Sequence, residues 1–543
     1  MRHHKSMTPL FLKRPARLIT ALMALLLAFS ATTASPQTAS NTGVSLGVSL
    51  PALGDNFDLT SAAERRIGDR IASSIFRDPD YLDDPVLTDY VQGIWQPLMA
   101  ASRARGELGQ ELDERFAWQL FLLRDRSINA FALPGGYFGV HLGLVGVVSS
   151  RDELATVLGH EMSHVTQRHI ARLMTQQSKQ APWMVAAMVL GALAASKSPN
   201  AASAAIVGGQ ALAAQSQLNF SRDMEREADR VGFGVMVDAG FDSRGVAAMF
   251  EKLQQASRLN DNGAFPYLRS HPLNTQRIAE AQSRVQLAVT NSPPLTSSAA
   301  QDAAQTRAVH AMMAARARVL AAPGVDQQRT MIELARARAA DALPSFQPST
   351  LDAASVGALY AGVLAAAQLR DFAQARGLLA ALVARINADP QTRTVGDLLV
   401  TEIEMMEGKV PAAGTRVDMT QLRTRAELLV YGRALLAAQR PKDVASRLQT
   451  WLAERPKDAA AWQLLSSAYS AQGQSVRAVR ADAESRFAEL DYPAALDRFK
   501  AAQGLMRSNP VSADYMEGSI IDTRARQTEA LIREQALQDK VNR

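Results

Sequence analysis

The clearest pattern of apolar and polar positions along the chain is helical, and it begins near residue 59. Isoleucines four residues apart fall on one face of residues 61–77, and residues 151–174 contain no proline and carry apolar residues at helical spacing. A different pattern occurs in residues 128–142, where two strand-forming stretches flank a Pro-Gly-Gly turn and predict a hairpin. The sequence therefore predicts an α+β fold that is mainly α.

The first 58 residues are predicted to lie outside the folded part. Basic residues precede a mostly apolar run from Leu18 to Phe29, and small residues follow it up to Ala34. This run is shorter than the ~20 residues that a membrane-spanning helix needs, so residues 1–34 are predicted to be a cleaved secretory signal peptide. Residues 35–58 are small, polar and interrupted by Gly and Pro, which predicts a flexible segment.

A second change of composition divides the rest of the chain. Two prolines among Ser, Thr and Ala in residues 290–306 predict a linker between a domain at 59–289 and a second domain at 307–543. The second domain is rich in Ala, Leu, Arg and Gln, and units that begin at Arg425 and Ala459 repeat with a tetratricopeptide-like pattern. A generic amphipathic helical bundle is the alternative. Either interpretation is all α, and short helix pairs bury a core by stacking into a solenoid.

Charge and cysteine content narrow the function classes. The chain has 59 Lys and Arg against 53 Asp and Glu, and loss of the five basic residues in 1–34 leaves 54 − 53 = +1. A nearly neutral chain gives no reason to expect a nucleic-acid partner. With no cysteine there is no disulfide and no thiolate metal site. An exported chain of this kind is predicted to reside in the bacterial periplasm, with extracellular release left open.

The stretch "LGHEMSHVTQRHI", which starts at Leu158, contains the candidate chemistry. His160 and His164 are four residues apart, so they lie about 40° from each other around a helix and both can reach one metal ion. Glu161 is beside that face. In this H-E-x-x-H arrangement a zinc ion lowers the pKa of its water toward ~7, and the glutamate takes the proton as general base. The alternative is two helical histidines beside a surface glutamate.

His169 is a tempting third ligand that the helical geometry disfavours. On a straight helix it lies about 140° from His164 and about 180° from His160. We therefore predict that His169 is a helix-surface residue or a residue behind a ligand.

A second predicted helix, "NFSRDMEREADRVGFGV", is the better source of a third ligand. Glu225 and Asp229 share one face of this helix. Glu225 is predicted to ligate the zinc, and Asp229 to accept the outer N–H of a ligating imidazole and fix its tautomer. Glu227 is predicted to point away from this pair, toward solvent or another helix. A solvated acidic helix face is the alternative.

Three stretches allow more than one interpretation. In "LRSHPLNTQRIAEA" a loop histidine, His271, could stabilise the oxyanion of a tetrahedral intermediate or occupy the open zinc position; a capping or packing role is the alternative. Residues 181–214 are unusually apolar, and we expect a soluble lid in preference to a surface for a partner or a peripheral membrane contact. The hairpin at 128–142 is either an ordinary hairpin or an edge that binds an extended peptide.

Taken together, "LGHEMSHVTQRH", "SRDMEREADRVG", "NAFALPGGYFGVHLGLV" and "HPLNTQRIAEA" resemble the periplasmic β-barrel assembly-enhancing proteases, H-E-x-x-H gluzincins related to HtpX and the CAAX-processing protease. The resemblance runs from about residue 59 to the C-terminus and is strongest in the first domain. It implies a zincin-type domain with a small sheet, followed by a tetratricopeptide-repeat solenoid. It also implies zinc on His160, His164 and Glu225, with Glu161 as general base.

Two hypotheses from different classes follow. The first is a zinc endopeptidase that acts on unfolded or misassembled outer-membrane proteins, with chaperone-like action and a solenoid that binds the β-barrel assembly machinery. The second is a periplasmic chaperone or scaffold with an idle or structural metal site. The sequence favours the first because structural zinc sites usually have four protein ligands and only three are firmly identified here. We also expect a chain that ends near Ala300 to keep the zinc site.

Overall fold

The structure, a computed structural model, describes residues 59–177, 221–258, 266–290, 297–321, 323–340, 352–387, 389–508 and 514–541. The predicted signal peptide (1–34), the predicted flexible segment (35–58) and the apolar segment 181–214 lie outside these ranges. Within them, no helix is both long enough and apolar enough to cross a membrane.

The described part of residues 59–290 combines a small sheet with helices. The strands are β1 (Tyr81–Leu82), β2 (Gln119–Leu123), β3 (Ala130–Leu133) and β4 (Tyr137–His141). The helices are α1 (Ser61–Phe76), α2 (Pro85–Ala104), α3 (Gln110–Arg115), α4 (Leu142–Val147), α5 (Arg151–Thr166), α6 (His169–Gln177), α7 (Arg222–Asp238), α8 (Arg244–Arg258), α9 (Tyr267–Ser270) and α10 (Thr275–Thr290). The strand order is β1-β2-β4-β3, and only β2 and β4 are parallel. Strand β3 is therefore an edge strand, and it packs against α5.

The predicted hairpin is confirmed as β3 and β4. They pair antiparallel, with Ala130 opposite Val140 and Leu133 opposite Tyr137. The turn between them contains Gly135 at φ 74° and Gly136 at φ 79°. Both lie in the left-handed region, where a side chain is disfavoured. A Cβ on Gly135 would also lie 2.8 Å from the Arg65 Cα, so α1 packs directly on the turn.

The single helix predicted over residues 151–174 is wrong at residues 167 and 168, where the chain breaks into two helices. Helix α5 ends at Thr166, Arg168 has φ 54°, and α6 begins at His169. The guanidinium of Arg168 donates to the Leu59 carbonyl at 2.9 Å and to the Glu64 carboxylate at 3.1 Å. These contacts accompany the left-handed turn, which a periodic sequence pattern does not reveal. The change of direction brings His169 back toward α5.

The second half of the described chain is helical. Its helices are α11 (Ser297–Leu320), α12 (Val325–Ala340), α13 (Ala353–Gln368), α14 (Phe372–Ile386), α15 (Pro390–Met406), α16 (Ala412–Arg416), α17 (Arg425–Ala437), α18 (Pro441–Glu454), α19 (Ala459–Ala471), α20 (Ser475–Ala488), α21 (Tyr492–Ser508) and α22 (Tyr515–Val541). Helices α17 and α19 begin at the two predicted repeat starts. The mainly α fold with a small sheet is thus confirmed, whereas the tetratricopeptide assignment stays a prediction.

The predicted linker at 290–306 is wrong for residues 297–306, which form the first turns of α11. This stretch is rich in Ala and Gln and has no proline, so it suits a helix. Helix α11 packs against α4 and α13. One apolar core runs without a break from Leu59 in the first half to Val430 in the second.

Buried polar contacts also join the two halves. The Arg316 guanidinium donates to the Asp84 carboxylate at 2.8 and 2.6 Å and to the Glu402 carboxylate at 2.7 Å. The His310 Nε2 donates to the Val148 carbonyl at 2.9 Å, just before α5. Because Nε2 holds the proton, the Nδ1 atom accepts from the Tyr90 hydroxyl at 2.6 Å.

His310 provides a prediction for the pH dependence of stability. Burial lowers its pKa, so the folded chain holds it neutral, whereas the unfolded chain binds a proton below about pH 6.5. The contribution of neutral His310 to the free energy of unfolding is therefore complete above that pH. It is lost as the pH falls below it, and the free energy of unfolding then changes by up to about 1.4 kcal/mol per pH unit. We expect His310→Gln to have a shallower fall in unfolding free energy between pH 7.5 and 5 than the parent. Parallel curves in chemical denaturation would contradict this.

Candidate metal centre

Three separate parts of the fold bring the candidate ligands together. Helix α5 supplies His160 and His164, α7 supplies Glu225, and the turn after α9 supplies His271. One ligand atom from each lies within 4.8 Å of the others, and all four residues are buried. The structure thus places the three ligands predicted from the sequence in one cluster and adds His271 to it.

The spacing of these atoms fits a tetrahedral ion. His160 Nε2 is 3.0 Å from His164 Nε2 and 3.5 Å from Glu225 Oε2, and His164 Nε2 is 3.4 Å from Glu225 Oε1. His271 Nδ1 is 3.3 Å from His160 Nε2. Ligands at ~2.1 Å from a central zinc are about 3.4 Å apart at the corners of a tetrahedron. Two imidazole nitrogens and a carboxylate are also donors that zinc accepts.

Glu161 is a buried carboxylate beside the cluster. Its side chain is 2% exposed, and its polar neighbours include the His271 ring and the backbone amide of Ala132 on β3. Its Oε1 atom lies 3.4 Å from His271 Nε2. Burial raises the pKa of Glu161, and the charges of His271 and His160 oppose that effect. Burial of a carboxylate with so few polar neighbours costs free energy, which points to a role other than folding stability.

Asp229 occupies the position behind His160 that its spacing on α7 predicts. Its Oδ1 atom is 3.0 Å from His160 Nδ1, on the side of the ring opposite Nε2. Burial would raise the pKa of Asp229, but hydrogen bonds from Arg277 and His160 lower it to about 2. Burial opposes the charged form of His160, yet its contacts with Asp229 and Glu225 raise its pKa to about 10. Asp229 is therefore a charged acceptor in contact with the back of the His160 ring.

Arg277 was not identified as a site residue from the sequence. Its guanidinium donates to both Asp229 oxygens at 2.7 and 2.8 Å and lies 2.7 Å from Glu225 Oε2. It also donates to the Pro272 carbonyl at 2.9 Å, which ties α10 to the turn that holds His271. The sequence shows an arginine six positions after His271, but it does not show what that arginine contacts, because both carboxylate partners lie on another helix.

His169 and Glu227 form a third group behind the cluster. The His169 Nδ1 atom is 3.0 Å from His164 Nδ1, and the His169 Nε2 atom is 3.0 Å from Glu227 Oε2. His169 is fully buried, so the helix-surface alternative is wrong, and its ring stands behind the ligand His164. Glu227 points toward helix α6, one of the two directions predicted, where Arg172 also contacts it.

The segment that contains α9 covers the cluster. The Tyr267 ring stacks on the His271 ring with centroids 4.6 Å apart and an interplanar angle of 28°. The Tyr267 amide lies 3.4 Å from the Ile128 carbonyl, at the entrance to strand β3. Since His271 is 2% exposed, this segment closes the site in the arrangement that the structure describes.

The helix with two histidines and a glutamate, completed by Glu225 from α7, defines an H-E-x-x-H metallopeptidase. Residues 89–285 match peptidase family M48. The chain is 30% identical over 452 residues to a putative beta-barrel assembly-enhancing protease of Vibrio cholerae, covering 82% of this chain and 86% of that one. It is 27% identical over 428 residues to the beta-barrel assembly-enhancing protease of Escherichia coli, covering 78% and 80%. The chain therefore belongs to peptidase family M48, together with these beta-barrel assembly-enhancing proteases.

The likeness also reaches proteins that match a smaller share of the chain. The mitochondrial metalloendopeptidase OMA1 of Arabidopsis thaliana is 32% identical over 164 residues, which is 30% of this chain and 31% of that one. The protein is accordingly a metallopeptidase, and its family implies a divalent metal ion.

Proposed function

We propose that the protein is a periplasmic zinc-dependent endopeptidase, with one zinc per chain, that acts in the assembly and quality control of outer-membrane β-barrel proteins and degrades misassembled clients. The observation that carries the proposal is the buried Glu161 carboxylate, which faces the His271 ring and the Ala132 amide beside a ligand cluster of tetrahedral spacing. The names of the similar Vibrio and Escherichia proteins support the connection with β-barrel assembly.

The residues around the cluster divide the work of hydrolysis. Zinc, when bound, activates a water molecule and polarises the substrate carbonyl. His160, His164 and Glu225 hold the ion, and Glu161 takes the proton from the attacking water and passes it to the leaving amine. The edge strand β3 lies against α5 and offers backbone groups to an extended substrate, which suits cleavage with little dependence on side chains.

His271 gives this site a closed and an open form. Its Nδ1 atom completes the tetrahedron, so the segment that contains α9 must move before a substrate can reach the ion. The displaced His271 ring would then be available to stabilise the oxyanion. With a fourth candidate ligand, the number of ligands alone does not separate a catalytic site from a structural one. Glu161 favours the catalytic site, because a structural site does not need a buried carboxylate beside its ligands that is not itself a ligand.

We assign the binding of the β-barrel assembly machinery and of clients to the second half of the chain, residues 307–543. Its stacked helix pairs are the kind of scaffold that binds extended polypeptides or partner proteins. It contains one histidine, His310, which the fold uses to join the two halves.

Replacement of the ligand on α7 tests the proposal. We expect Glu225→Ala to lose bound zinc and cleavage of an unfolded β-barrel protein together, because it removes the anionic ligand and leaves only His160 and His164 on the ion once His271 is displaced. The matched control is Asp223→Ala on the same helix, since the Asp223 side chain is 93% exposed. Zinc analysis and gel-based cleavage check both. A Glu225→Ala chain with full zinc and full cleavage would refute the assignment.

A change behind the ligand should have a graded effect. We expect Asp229→Asn to lower zinc affinity or activity about 10 to 100-fold, because an amide is a weaker acceptor for the His160 N–H and a weaker partner for Arg277. Chelator competition and initial rates measure this, and circular dichroism monitors folding. Affinity and rate equal to those of the parent would rule out the orienting role.

A further inference from the structure

The contacts behind His164 form a chain of polar atoms that leads from the cluster to the surface of α7. His164 Nδ1 contacts His169 Nδ1 at 3.0 Å, and His169 Nε2 contacts Glu227 Oε2 at 3.0 Å. The outer end is partly exposed, with 33% of the Glu227 side chain accessible, and Arg172 donates to the same oxygen at 3.2 Å. The two imidazoles are completely buried.

The donors and acceptors along this chain can be assigned in only one order if His164 ligates through Nε2. A neutral ligating imidazole has its proton on the other nitrogen, so His164 Nδ1 is a donor. The His169 Nδ1 atom must then accept, which puts the His169 proton on Nε2. That proton is donated to Glu227, and a carboxylate is an acceptor only.

We propose that His169 and Glu227 are positioning residues for the metal centre, which set the tautomer and ring orientation of His164. This inference rests on the metal site proposed above. Glu227 fixes the far end because a carboxylate cannot donate. Without that acceptor, His169 can place its proton on Nδ1, where it would face the His164 Nδ1 proton across 3.0 Å. His164 would then have to turn or move its proton to the nitrogen that holds the ion.

The left-handed residue between the helices makes this contact possible. On an unbroken helix the His169 side chain would lie about 140° from His164. The turn at Arg168, with φ 54°, starts α6 in a new direction and returns the ring to the back of His164. His160 has its own acceptor, Asp229, so each ligating histidine has a separate carboxylate behind it.

The test measures zinc affinity in the full chain by competition with a chelator, with substitutions that separate hydrogen bonding from packing. His169→Phe keeps a ring and removes the acceptor, whereas His169→Asn keeps an oxygen near the Nδ1 position. Glu227→Leu removes the outer acceptor at a partly exposed site, and Asp223→Leu is its control on the same helix. We expect His169→Phe and Glu227→Leu to bind zinc about 10 to 100-fold more weakly than the parent, and His169→Asn and Asp223→Leu to bind within about threefold of it.

The outcomes separate this inference from the proposed function. A parent chain that binds no zinc would refute the metal site itself. A parent that binds zinc, with Glu227→Leu unchanged in affinity, would overturn the positioning role alone. Equal weakening in His169→Phe and His169→Asn would show that His169 acts by packing. If His169→Phe does not fold, as judged by circular dichroism, the positioning role is tested by comparing the zinc affinities of Glu227→Leu and Asp223→Leu.

Discussion

Glu161→Gln is expected to lose hydrolysis by about 10² to 10⁴-fold while the chain keeps its zinc. The amide has nearly the same size as the carboxylate but cannot take a proton from the attacking water. The contacts among His160, His164 and Glu225 do not involve the Glu161 side chain, so the substitution should leave zinc binding in place. Turnover of an unfolded β-barrel protein, measured beside zinc content, gives both quantities.

A surface substitution on a neighbouring helix provides the control for that result. Glu251 on α8 is exposed, so Glu251→Gln should leave zinc content and turnover at the level of the parent. Zinc loss in Glu161→Gln would mean that Glu161 is a ligand. Equal cleavage by Glu161→Gln and the parent would remove its role as the base and would favour a chaperone with an idle metal site.

Arg316→Leu is expected to destabilise the whole chain by about 3 to 5 kcal/mol. The guanidinium is 3% exposed and neutralises Asp84, which caps α2 in the first half, and Glu402 on α15 in the second half. Leucine leaves two carboxylates in a buried site without their cation. Equilibrium unfolding in urea should therefore show a lower midpoint, and the loss should be seen by probes in either half.

An exposed arginine in the same half is the control for this loss. Arg336 pairs with Glu333 three residues earlier, and both side chains are more than half exposed, so Arg336→Leu should change stability by less than about 0.5 kcal/mol. Equal stability of Arg316→Leu and the parent would show that the two halves do not depend on this contact. The same dependence argues against our expectation for a chain that ends near Ala300. Such a chain would lose most of α11, which carries Arg316 and contributes apolar side chains to the core that both halves share.

Local spacing in the sequence was sufficient for the features that one helix or one hairpin defines. The separation of His160 and His164, and that of Glu225 and Asp229, predicts which side chains share a helical face. The Pro-Gly-Gly turn predicts the hairpin, because few other residues tolerate the left-handed backbone there.

Features that depend on tertiary contacts were not predictable in the same way. The end of α5 depends on what Arg168 contacts in α1 and before it, and no periodic pattern includes those partners. Arg277 has a role only because α10 packs on α7, and His169 gains one only because the helix breaks. The prediction of a linker at 290–306 was wrong for a related reason. Prolines end one helix, but they do not determine whether the next helix packs on the same core.

Anomalous diffraction at the zinc edge, from crystals of the protein, tests the central claim most directly. The account predicts one ion within ~2.0 to 2.2 Å of His160 Nε2, His164 Nε2 and a Glu225 oxygen, with Glu161 outside the ligand sphere. No peak at this position, or a peak held by His169 in place of Glu225, would contradict it.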